Sequence, residues 1–144
     1  MPKTTRSLWL ARLAIAVVMA WNLECAVAFV AQPGRYAPGF EVAGVPGEAL
    51  VRGMGVLFVM WNVPYAVALW HPRRQRTSLI EALAMQGIGL VGETLLLATL
   101  PAGYARLRGS TLRFILFDAA GLLLLAGAVW LTRGQASATR RPQV

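Results

Sequence analysis

A chain of 144 residues that is 57% hydrophobic and only 14% charged, with a mean hydropathy of +0.56, is too poor in charge for a soluble domain, where about 25% is usual. Its net charge of +8 would suit nucleic acid if the basic residues formed a patch or a tail. They lie instead between apolar runs, where they serve as topology signals, so no nucleic-acid partner is expected and the class is an all-α polytopic membrane protein.

The first apolar run, residues 8–30, follows Lys3 and Arg6 and carries Arg12 near its start. Ala26-Val27-Ala28 resembles a signal-peptidase site, but the run is long for a signal peptide, and Trp21, Asn22 and Glu24 before the cut favour a membrane span. The Pro/Gly-rich stretch from Gln32 to Glu48 is expected outside the hydrocarbon, with Tyr36 and Phe40 folding back onto the bundle. The second span, 49–70, is about 22 residues and ~33 Å of helix, enough for a bilayer core of ~30 Å. It carries Arg52, Asn62 and Pro64, and the proline leaves the Met60 carbonyl without its helical donor.

After the basic turn His71–Arg76, Ser78 and Glu81 form an S-x-x-E pattern expected to cap the third span, 78–100, which Pro101 ends. The fourth span is 111–131, and the polar tail 134–144 is expected to be disordered. Residues 1–133 thus form one domain, an up-down four-helix bundle. Placing both termini and Arg73, Arg74 and Arg76 on one side collects most of the basic residues there. That side is therefore expected to be cytoplasmic, in the bacterial inner membrane.

Ionisable groups inside a bilayer cost about 2.5 to 3.5 kcal/mol each on the insertion scale, so they need partners or a wet cavity. Counted at 1.5 Å per residue, Glu24 sits ~24 Å up the first helix, Glu93 ~21 Å up the third, and Asp118 ~12 Å below the far end of the fourth. All three fall in the outer half of the membrane. Gln86, Gly89 and Glu93, and likewise Asp118 and Gly121, recur at helical spacing beside small residues, so the polar groups are expected to face inward. The expected cluster is Asn22, Glu24, Arg52, Asn62, Gln86, Glu93 and Asp118. In one reading Arg52 pairs with a carboxylate and merely fixes helix register. In the other at least one carboxylate stays unpaired and binds a proton or a cation, with Glu24 the first choice.

The strings Trp21-Asn22-x-x-x-Ala26-Val27-Ala28 and Trp61-Asn62-x-x-x-Ala66-Val67-Ala68 match between the first two spans, but chance recurrence of common membrane residues is the preferred reading over an inverted repeat, since the last two spans show no matching pair. One cysteine, Cys25, and one histidine, His71, leave no residues for a dithiol relay, a thiolate zinc site or bis-histidine haem. No metal and no catalytic residue is assigned. Gly87-x-Gly89-x-x-Gly92 lies within a span and reads as a packing face, not a nucleotide loop. Trp9, Trp70 and Trp130 fit interfacial belts, while Trp21 and Trp61 lie deeper, against neighbouring helices or a hydrophobic cavity.

From Phe40 to Arg76 the chain resembles the small four-span DoxX-like membrane proteins: Phe40-x-x-x-Gly44-x-Pro46 in the loop, Arg52-Gly53-x-Gly55 opening the span, and Pro72-Arg73-Arg74 in the basic turn. The resemblance implies an accessory subunit of a redox system, sometimes quinone-linked. The expected function is therefore a non-enzymatic membrane subunit, in a homo-oligomer or a larger complex, with a bound lipid or quinone as the only cofactor to consider. The alternatives are a small dimeric proton-coupled transporter using an intramembrane carboxylate, and an enzyme acting on a lipid-like substrate.

Overall fold

The computed structural model describes residues 3–133; the tail 134–144, expected to be disordered, lies outside them. Four helices are long and apolar enough to cross a membrane, and among the described residues there is no strand. The chain is a small integral membrane protein built on α1 (Lys3–Ala31), α3 (Gly44–Trp70), α4 (Arg76–Thr99) and α5 (Ala105–Arg133). Between α1 and α3 lie a one-turn helix, α2 (Pro33–Tyr36), and a 3₁₀ turn (Ala37–Phe40). Each long helix outruns the apolar stretch that marks it, because backbone hydrogen bonding continues past the hydrocarbon until a breaker intervenes. Pro33 does this after α1 and Pro101 after α4, whose C-cap Leu100 is already extended.

The helices form a ring in which α1 packs on α3 and α5, and α4 packs on the same two; across the diagonals no Cα pair among the described residues comes within 8 Å, and α3 and α5 meet through the Phe58 and Phe114 rings, 6.0 Å apart. Small residues allow the close approaches. A Cβ on Gly55 would come 2.8 Å from the Val30 side chain and 2.9 Å from the Ala26 carbonyl oxygen, so α1 and α3 touch nearly backbone to backbone there. Toward the end where α1 begins, a dry core of Ala11, Ile15, Val18, Ala68, Leu79 and Leu125 fills the centre of the ring. The Arg12 Nη2 donates to the Trp70 carbonyl oxygen at 2.6 Å and so closes the last turn of α3. Trp9, Trp70 and Trp130 are exposed at this end.

The opposite end is capped. Glu41 and Gly44, at φ 57° and 65°, take the left-handed conformation and turn the chain back into α3. Phe40 lies 6.1 Å from Phe114 in a stacked arrangement. Ser110 Oγ donates to the Gly39 carbonyl at 2.7 Å, and the Arg106 N–H donates to Glu41 Oε1 at 3.0 Å, which satisfies a free amide in the first turn of α5. The Pro/Gly-rich connection is thus a folded plug rather than a loose loop, seated on α1, α3 and α5.

Ser78 and Glu81 do not cap α4. The helix starts two residues earlier, at Arg76, with Gln75 as N-cap and no side-chain cap bond, and the Gln75 N–H donates to the His71 carbonyl at 2.8 Å. The turn satisfies its own backbone, so Ser78 is already helical when a cap would be needed.

Candidate functional site

Beneath the plug the four helices surround a partly open cavity of about 210 Å³. Helical periodicity supplies its walls: α1 contributes Trp21, Asn22, Glu24, Cys25 and Phe29 from one stripe, and α3 contributes Phe58, Trp61 and Tyr65 at intervals of three and four. From α4 come Gln86 and Glu93, and from α5 Phe114, Phe117 and Asp118, with Tyr36 of α2 above. Every phenylalanine except Phe40 lines this space, and Phe40 backs it. Phe29 is the hub of the rings, with centroids 5.1 Å from Tyr36, 5.6 Å from Phe40 and 6.0 Å from Phe58. Phe58 in turn meets Trp61 edge-on at 5.7 Å, and Trp21 lies 6.0 Å from Phe117. Such contacts hold rigid plates around a space that aliphatic side chains would collapse into.

At the base of the cavity a polar chain crosses the bundle. The Tyr65 hydroxyl donates to Gln86 Oε1 at 2.7 Å, and Gln86 Nε2 donates to Asp118 Oδ1 at 2.7 Å. Asn22 of α1 reaches the same tyrosine hydroxyl, so all four long helices take part. Two glycines make room for this: the Gln86 amide lies over Gly121, where a Cβ would stand 2.6 Å from Nε2, and the Asp118 carboxylate lies over Gly89. The packing is reciprocal, each polar side chain occupying the space left by the glycine opposite. Gly92, by contrast, meets nothing within 4 Å, so the glycine pattern of α4 is a packing face only in part.

Of the residues expected to cluster, Asn22, Glu24, Gln86, Glu93 and Asp118 line the one cavity, and Arg52 and Asn62 do not. Arg52 is exposed, and among the described residues no carboxylate pairs with it. It lies three positions before Gly55, where α3 is pressed against α1, and its own side chain is turned out to the surface. Asn62 is buried but turned away; its Nδ2 donates to the Phe58 carbonyl at 2.7 Å and its Oδ1 has no partner. The matching Trp-Asn strings therefore diverge: both tryptophans face the cavity, but only the first asparagine does. Tyr65 was not among the expected residues, although a tyrosine inside a span signals a hydroxyl that must find a partner.

Electrostatically the cavity is one-sided. Glu24, Glu93 and Asp118 come from three different helices, and no Lys, Arg or His lines the wall. Asp118 has a Gln86 donor, whereas Glu93 Oε2 is buried with no hydrogen-bond partner. Glu24 is exposed at the rim. A carboxylate in low dielectric with neither donor nor counter-ion is costly, which sets this cavity apart from the apolar core below it. Comparison with protein-family models, curated proteins and solved structures returns no match for this chain.

Proposed function

We propose that the protein is a small proton-coupled carrier whose acidic intramembrane cavity binds its solute. The observation that carries this reading is the placement of three carboxylates from three helices around one cavity without a basic side chain on its wall. A structural ion pair would need the guanidinium of Arg52 inside, and it lies outside. Uncompensated acids must be neutralised either by protons or by an incoming solute, and a site with two mutually exclusive ways to be neutral couples one to the other. A second reading, an accessory subunit of a redox-linked complex, draws on the DoxX-like resemblance over residues 40–76 and treats the aromatic space as a seat for a lipid or quinone.

Cys25 separates the two, because it is the only cysteine and it lines the cavity. A membrane-impermeant thiol reagent is applied to sealed vesicles from one face and then the other, with a permeant reagent as control. Labelling of Cys25 from both faces is the expected result for a carrier that opens alternately. Labelling from one face only, across pH and in Glu93→Gln as well, would refute it and favour the static subunit.

A further inference from the structure

Resting on that reading, we propose that the solute is a small organic cation, an ammonium group on a flat apolar body. The walls divide the task. Rings from α1, α3 and α5 line the space, and a cation lying over a ring face is attracted by the negative side of its quadrupole while its apolar part packs on the same rings. The carboxylates supply the opposite charge, and Glu93 Oε2, buried without a donor, is an acceptor that a ligand N–H or the positive shell of a quaternary ammonium would occupy.

Three alternatives fit less well. An anion would face three acids and no base. A neutral apolar solute would leave the buried oxygen of Glu93 unpartnered. A bare metal ion needs several oxygens converging on one point, and among the described residues no group of three His, Cys, Asp or Glu is close enough to hold one. The carboxylates share the cavity but not a single point, which suits a charge spread over an alkylammonium several ångströms across. The volume of about 210 Å³ lies below the ~300–1,000 Å³ of pockets for drug-sized ligands, so the body amounts to about one ring.

The test uses benzyltrimethylammonium and its uncharged carbon isostere, neopentylbenzene. Each is titrated into the full chain in nanodiscs and followed by the fluorescence of Trp21 and Trp61, with the Trp21→Phe and Trp61→Phe proteins assigning the signal. The ammonium is expected to bind at least tenfold tighter than the isostere, to weaken as pH falls, and to lose most of that advantage in Glu93→Gln. That variant removes no hydrogen bond seen at Glu93 Oε2 and so should fold; Glu24→Gln at the rim is the second. Equal binding of the isostere would overturn the proposal, as would sodium or potassium competing at concentrations comparable with the ammonium. If the ammonium preference is absent while Cys25 is still reached from both faces, the solute class fails and the carrier stands. One-sided access with the preference intact fails the carrier and keeps the site.

Discussion

The two halves of the bundle are built from the same four helices yet fill their centres in opposite ways. Where α1 begins, small and branched aliphatic residues such as Ala11, Ile15, Ala68, Ala82 and Leu125 close the ring completely. Under the plug, Phe29, Phe58, Phe114 and Trp61 stand between the helices and leave a space, and acids and amides occupy the positions that aliphatics hold below. The dry half therefore sets the helix arrangement, and the aromatic half uses that rigidity to keep an empty volume open. A cavity costs stability where its lining could have packed, so it persists only where the rest of the bundle is held fast.

The largest effect should come from opening a second void in the dry half. Ile15 is fully buried, and Ile15→Ala is expected to cost about 2–5 kcal/mol, read as a lowered midpoint of unfolding in detergent. Next is Gly55→Val, which forces α1 and α3 apart and is expected to cost about 1–3 kcal/mol. Gly53→Ala, which meets nothing within 4 Å, should leave the midpoint unchanged or slightly raised; equal effects at the two glycines would break the account of close α1/α3 packing.

Tyr65→Phe comes third. It strips the donor from Gln86 Oε1 at the boundary between the halves and should cost about 1–3 kcal/mol. Because Tyr65 and Gln86 act through one bond, Tyr65→Phe with Gln86→Leu should lose less than the sum of the single changes. Smallest is Glu93→Gln, expected to change stability by less than about 0.5 kcal/mol or to raise it, since a buried oxygen without a donor contributes nothing to the fold. A large loss there would mean that Glu93 is a structural partner and would remove the functional distinction between the halves.

The sequence carried the four spans because hydropathy over about 20 residues reports the bilayer directly. It also carried the inward stripe of Gln86, Glu93 and Asp118, because polar residues spaced beside Gly89 and Gly121 have only one face on which to be satisfied. Arg52 misled because charge alone says nothing about which way a long side chain turns, and it is exposed beside the close α1/α3 approach at Gly55. The plug was only half legible: Tyr36 and Phe40 were expected to fold back, but their seating on Phe29 and Phe114 depends on left-handed Glu41 and on Ser110, a tertiary partner 71 residues from Gly39. The cavity itself is a property of how rings from separate helices meet, and no single stretch of chain encodes it.

The claim on which the account rests is that the chamber acids are neutralised in turn by protons and by a bound cation. Proton release measures this directly: benzyltrimethylammonium is added to the chain in weakly buffered nanodiscs while a soluble dye follows the pH, over a wide range of starting pH. The account predicts that protons leave the wild-type protein in proportion to the cation bound, and that Glu93→Gln releases fewer. Binding of the ammonium with no proton released at any starting pH would contradict it.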